Sequence, residues 1–162
     1  MPVLRYVYVL SLVVWLGGMV VLGALVAPTT FQVLQAADPE SGRVLAGEVF
    51  GAMVARFHVL SYGAGALLLA SLLAIAVLGP RPRHFAVRVG LIVGMLAVSA
   101  YSGFVVLADI EQVQREAGTL PSRLPADDAR RQAFERLHEL SERLMMVNMA
   151  AALVLLAWET RE

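Results

Sequence analysis

The chain alternates between four long apolar segments and shorter stretches that carry most of its charges. A helix needs about 20 mainly apolar residues to cross the hydrocarbon core of a bilayer, and each segment reaches that length. The pattern therefore predicts an all-α integral membrane protein, a four-helix bundle that forms one domain. The segments cover residues 3–27, about 54–79, about 85–108 and 137–158 of the 1–162 chain.

The connections between these segments differ in length and charge. Residues 79–84 form a short basic link that contains two prolines, whereas the first and third links are long and carry more acids than bases. Asp38-Pro39 predicts a helix break in the first link, and Asp127 or Asp128 predicts the N-cap of the last helix. Because basic loops favour the cytoplasm, we predict an inner-membrane (plasma-membrane) protein with the short link and both termini inside.

The two halves of the chain resemble each other. The sequence ARFHVLS at residues 55–61 matches ERLHELS at residues 135–141 in the pattern R-[FL]-H-x-L-S, 80 residues later. Shifting the whole chain by 80 residues gives 19 identities in 82 pairs without a gap. We therefore predict an internal repeat of two helical hairpins, residues 1–80 and 81–162, which run in the same direction through the bilayer.

The amino-acid composition excludes several classes of function. Hydrophobic residues make up 59% of the chain, above the roughly 45–50% of soluble domains, so the lipid bilayer is the expected partner. The chain has no Cys, which excludes disulfides, thiolate catalysis and iron–sulfur clusters. Its net charge is zero and no basic patch stands out, so no nucleic acid is expected to bind.

Two histidines occupy equivalent positions in the repeat. His58 and His138 each lie about 20 residues before the end of an apolar segment, so the repeat places them at one depth. Imidazole is a common metal ligand and haem axial ligand, which predicts haem b or copper between helices two and four. Arg56 and Arg136 lie two residues before the histidines and are expected to meet haem propionates.

Polar side chains follow both histidines at helical spacing. Ser61 or Tyr62 shares a face with the first histidine, and Ser141 and Asn148 share a face with the second. In lipid, such a face is expected to turn toward the bundle interior. One alternative is that each histidine only hydrogen-bonds a neighbour and fixes the helix packing. A proton or solute path along this face is another.

Two motifs carry a family resemblance. They are WLGGMVVLGALVAPTTFQVL at residues 15–34 and FERLHELSERLMMVN at residues 134–148. With these motifs the chain resembles a bacterial family of uncharacterised four-helix membrane proteins, which is similar to eukaryotic transmembrane protein two-hundred-and-five. More remotely, the layout resembles the copper-resistance D-type membrane proteins, whose histidines suit copper or haem. The resemblance implies a four-helix membrane fold and no particular activity.

The sequence therefore predicts a multi-pass membrane protein that binds haem or a transition metal at His58 and His138. A cofactor-free scaffold or accessory subunit of a membrane complex is the competing hypothesis. A small-solute or proton conductor is the third. A second copy of the chain or another membrane subunit is the expected protein partner. No residue is identified as catalytic.

Overall fold

A computed structural model describes residues 2–118 and 121–161, and nearly all of this part of the chain is helical. Two of the long helices contain a π-helical turn, which divides each of them into two α-helical segments. The elements in chain order are α1 (Pro2–Val21), a π turn (Leu22–Val26), α2 (Ala27–Ala37), α3 (Gly42–Leu78), α4 (Phe85–Tyr101), a π turn (Ser102–Val106), α5 (Leu107–Ala117), a 3₁₀ turn (Pro121–Arg123) and α6 (Ala129–Glu159).

Four continuous helical rods are long and apolar enough to span a membrane, which confirms the predicted fold class. They contain 31–37 residues each, or roughly 46–55 Å of helix at about 1.5 Å per residue. A bilayer core is only about 30 Å thick. Because the charges lie mainly on α5 and the first halves of α3 and α6, and α2 carries polar but uncharged residues, the rods extend beyond the apolar layer at that end.

The rods close into a ring around one core. The first packs on the second, the second on the third, the third on the fourth and the fourth on the first. The second rod, α3, and the fourth, α6, therefore lie diagonally across the bundle. Large side chains that are at most 1% exposed fill the centre of the apolar half. They are Tyr8, Leu12, Trp15, Leu68, Leu72, Ile92 and Leu155.

The three rods that carry α1, α3 and α4 meet closely at Gly65. A Cβ at this glycine would lie 2.5 Å from Leu96 Cδ2 and 2.8 Å from Trp15 Cζ3. Small residues allow membrane helices to approach each other, and van der Waals packing is a main source of their association. Gly65 is therefore one of the positions where side-chain volume limits how closely the helices approach.

The helix ends follow the sequence signals. α2 ends at Ala37, before Asp38, whose carboxylate accepts hydrogen bonds from the backbone N–H groups of Ser41 and Glu40, which lower its pKa. Asp128 caps α6, and its Oδ1 accepts a 2.8 Å hydrogen bond from the Arg130 backbone N–H. The Arg130 side chain also holds the pKa of Asp128 at about 2. Both carboxyl groups are therefore ionised at neutral pH.

A buried ion pair ties the helices together at the end with the short link. Arg88 is 2% exposed, and its Nη1 donates to Glu159 Oε2 over 3.2 Å. Arg5 Nε donates to the other carboxylate oxygen of Glu159, which is itself 9% exposed. One carboxylate thus joins α1, α4 and α6. The sequence analysis did not identify this group.

Candidate functional site

A cavity of about 400 Å³ lies between the four rods at the level of the two π turns, where the apolar layer meets the charged extensions. Aromatic, aliphatic and methionine side chains form most of its wall, including Met19, Phe31, Phe50, Val54, Phe57, Val98, Leu144 and Met145. The polar groups of its lining come from α3, α4, the second π turn and α6. They are His58, Ser61, Ser99, Ser102, His138, Ser141, Glu142 and Asn148.

His58 is a half-buried member of this lining. Its ring lies 6.1 Å from that of Tyr62, which in turn stacks on Phe104 at 5.6 Å. A Cβ at Gly103 would lie 3.1 Å from His58 Cγ, so this glycine lets the π turn pass close to the imidazole. The Nδ1 atom of His58 is buried and has no hydrogen-bond partner among the described residues. It is therefore a buried polar atom that a ligand or water could satisfy.

Asn148 is the most buried polar residue of the lining on α6, at 5% exposure. Its amide nitrogen donates to Ser99 Oγ over 2.9 Å and to the Met95 carbonyl over 3.3 Å, which ties α6 to α4. Its Oδ1 is buried and accepts no hydrogen bond from the described part of the chain. An unsatisfied buried acceptor costs about 1–3 kcal/mol, so a donor on a bound molecule would stabilise the complex here.

His138 also lines the cavity, but it lies in a different environment. Its side chain is 57% exposed, its Nε2 lies 3.3 Å from Glu142 Oε1, and its ring stacks on Phe134 at 5.9 Å. Ser141, one turn further along α6, is half-buried in the lining. The two histidines thus contribute to one cavity from opposite rods, with His58 more enclosed and His138 nearer solvent.

The remaining predicted site residues stand outside the lining. Arg56 and Arg136 are exposed and do not line the cavity, and Arg136 Nε donates to the Gln132 carbonyl over 3.2 Å. Tyr62 lies behind His58, where its hydroxyl donates to the Ser99 carbonyl over 3.2 Å. Tyr62 therefore orders the wall of the cavity and holds α3 against α4.

Two lining serines were missed by the sequence analysis. Ser99 and Ser102 lie three residues apart in the third apolar segment and share one helix face. Ser99 is 3% exposed and Ser102 is 9% exposed. Polar residues at helical spacing predicted the polar faces of helices two and four. The spacing of Ser99 and Ser102 within an apolar run is the same signal, and it indicates a polar face on the third helix.

The charged and ligating groups do not assemble into a multidentate metal site. Within residues 2–118 and 121–161, no three His, Asp or Glu side chains come together in a geometry that could hold a metal ion. A protein zinc site uses three or four side-chain ligands. The lining instead provides two imidazoles from opposite helices in a mainly apolar cavity.

Comparison with known proteins identifies one family. The model of a family described as "Domain of unknown function (DUF4149)" matches residues 10–119, which is 110 of the 162 residues. The matched region includes His58, Ser99 and both π turns, and it ends before α6. Searches of the curated proteins and of the solved structures give no match.

Proposed function

The chain belongs to the DUF4149 family, and for this member we propose a multi-pass membrane protein that binds a small, largely apolar molecule with a polar group in the cavity around His58 and Asn148. Ligand sites are typically concave and mostly apolar, with a few polar groups that fix orientation. The observation that carries the proposal is a pair of buried polar atoms, His58 Nδ1 and Asn148 Oδ1, which have no hydrogen-bond partner within the described residues and belong to the lining of one apolar cavity.

Haem is one of the two cofactors that the sequence left open, and it is the one that suits this cavity better. Its ring matches an apolar cavity, and an imidazole nitrogen is a usual axial ligand of its iron. His58 and His138 are the residues that would hold it, since both line the cavity. Arg56 and Arg136 lie outside the lining, so a contact with propionates would require a change of their side-chain conformations. A free copper ion fits less well, because two imidazoles alone leave its coordination incomplete.

A scaffold or accessory subunit and a conductor are the competing functions. Conduction is less well supported, because mainly apolar side chains fill the core between Asn148 and the Arg88–Glu159 ion pair. Leu68, Ile92 and Leu155 are each fully buried there. The scaffold hypothesis leaves the two partnerless polar atoms of the cavity without a role. The similarity to eukaryotic transmembrane protein two-hundred-and-five and to the copper-resistance D-type proteins remains a prediction and adds nothing to this choice.

A tryptophan of the cavity wall provides the test of the haem variant. Trp15 lines the cavity and Trp158 does not, so a Trp158→Phe background leaves one reporter. We expect added haem to quench Trp15 fluorescence, and His58→Ala to weaken binding about tenfold, the effect of losing one good polar contact. His138→Ala should have a smaller effect because that side chain is exposed. Val59→Ala is the control, since Val59 is 70% exposed next to His58. Equal affinities in wild type and His58→Ala would exclude the haem variant.

We also propose that the protein is built from two repeated hairpins, residues 1–80 and 81–162. Two structural features support this proposal, and two of the sequence identities fall at equivalent places in the structure. The π turns begin at Leu22 and Ser102, 80 residues apart, and α2 and α5 end at Ala37 and Ala117, at the same offset. Each π turn has a glycine as its second residue. The histidines of the cavity occupy equivalent positions in the two hairpins.

The proposed location is the inner membrane, with the short link and the termini in the cytoplasm. Cysteine labelling tests this orientation, since the chain contains no cysteine. Glu40 and Arg81 are exposed at opposite ends of the bundle. We expect a membrane-impermeant thiol reagent to label Glu40→Cys in intact cells and Arg81→Cys only after permeabilisation. The reverse pattern would invert the orientation.

A further inference from the structure

A second cavity lies at the opposite end of the bundle, where α3 ends and α4 begins. It has a volume of about 230 Å³ and is lined by Arg83, His84, Arg88, Trp158 and Arg161. It is separate from the cavity around His58, because buried core residues lie between the two cavities. They are Leu68, Leu72, Ile92 and Leu155. Neither the family description nor the proposed function assigns it a role.

The charge at this end is strongly asymmetric. Arg5, Arg81, Arg83, Arg88 and Arg161 lie here, and eleven of the 13 acidic residues lie at the other end or in the long links. Of the remaining two, Glu162 is outside the described residues. Glu159 is the other, and it bridges Arg5 and Arg88. The sequence therefore places five cations against two side-chain carboxylates at this end.

Aromatic and backbone features also fix the position of the cavity at the end of the apolar segments. Trp158 terminates the last apolar segment, and tryptophan is enriched at membrane–water interfaces. The His84 ring stacks on Trp158 at 5.2 Å, and His84 adopts a left-handed backbone conformation with φ of 55° that turns the link into α4. Arg88 is fixed by its hydrogen bond to Glu159. The cationic groups are thus arranged by the fold around a cavity next to the apolar layer.

From this arrangement we propose that the cavity binds a phosphate group, with Arg83 and Arg161 as the exposed arms and Arg88 as the fixed base. Guanidinium groups match phosphate geometry through paired N–H donors. At this depth a phosphate is available from the headgroup of an anionic lipid or from free phosphate in solution. The two sources share the same recognition chemistry and are separated by experiment.

The test uses the full-length protein in mild detergent with dispersed lipid. Phosphatidylglycerol, phosphatidylcholine and inorganic phosphate are titrated separately, and binding is followed by the rise in melting temperature. We compare wild type with Arg83→Gln/Arg161→Gln. The control is Arg115→Gln/Arg143→Gln, which removes the same charge from two arginines that are 70% and 69% exposed at the other end. Size-exclusion profiles at the start confirm that each variant is folded.

We expect wild type to bind phosphatidylglycerol about 25-fold more tightly than the Arg83→Gln/Arg161→Gln variant does, since each of the two interfacial arginines contributes about fivefold toward anionic lipid. The control should bind like wild type. If inorganic phosphate alone stabilises the protein and competes with the lipid, the source is free phosphate and the site stands. The proposal would be overturned if Arg83→Gln/Arg161→Gln bound phosphatidylglycerol as tightly as wild type does. It would also be overturned if wild type showed no preference for phosphatidylglycerol over phosphatidylcholine and inorganic phosphate did not raise its melting temperature.

Discussion

Glu159→Gln is expected to lower the free energy of unfolding by about 3–5 kcal/mol, the cost of removing one member of a buried ion pair. The charge concerned is Arg88, which is 2% exposed and donates to Glu159 over 3.2 Å. Glutamine keeps the size of the side chain but removes the negative charge. Thermal unfolding in mild detergent, followed by far-ultraviolet circular dichroism, should show a melting temperature lower by on the order of 10 °C.

Two further variants isolate the cause of this loss. Glu139→Gln removes an exposed carboxylate that pairs with Arg143, and surface pairs of this kind contribute at most about 0.5 kcal/mol. Adding Arg88→Met to Glu159→Gln also removes the buried cation and should restore most of the stability, because well-packed apolar replacements of buried ion pairs are tolerated. A Glu159→Gln protein as stable as Glu139→Gln would show that the ion pair is not a structural element.

Gly65→Ala is expected to destabilise the bundle by about 1–3 kcal/mol, the typical cost of overpacking. The added Cβ would lie 2.5 Å from Leu96 Cδ2 and 2.8 Å from Trp15 Cζ3, so the helices must separate or Trp15 must move. Because Trp15 also lines the candidate site, its fluorescence should change along with the melting temperature. Both quantities are measured on the same purified protein.

Gly63→Ala is the matched control for this change. Gly63 lies on the same helix, two residues away, and a Cβ there would meet nothing within 4 Å. Alanine has a higher helix propensity than glycine by about 1 kcal/mol, so this variant should be as stable as wild type or more stable. If both alanine variants stabilise the protein equally, the close approach at Gly65 does not limit the packing.

The fold could be predicted from sequence because a lipid environment restricts the composition and the secondary structure of a membrane-spanning segment. Every spanning segment must be apolar and helical, so the four rods and the break before Asp38 followed from pattern alone. The rods are longer than the apolar segments, because α2 adds an uncharged polar helix and α5 and the starts of α3 and α6 add charged helix. The π turns were not predicted. Pro28 follows the first of them and lacks a backbone N–H, but the second has no proline after it.

The candidate site could be predicted only in part. Helical spacing identified His58, Ser141 and Asn148, and all three line one cavity. The difference between an enclosed His58 and an exposed His138 depends on how neighbouring helices cover each face, which spacing within one helix does not give. The partnership of Arg88 with Glu159 joins residues 71 positions apart. No local sequence pattern connects two residues so far apart.

Native mass spectrometry of the protein released from its own membrane tests the ligand-binding proposal most directly. The account predicts that wild type carries one adduct of defined mass per chain, and that a His58→Leu/Asn148→Leu variant loses it while remaining folded. Val59→Leu, which changes a lipid-facing neighbour, should retain the adduct. A wild-type spectrum that shows the bare chain, or the same adducts in all three proteins, would contradict the account and favour a scaffold without a ligand.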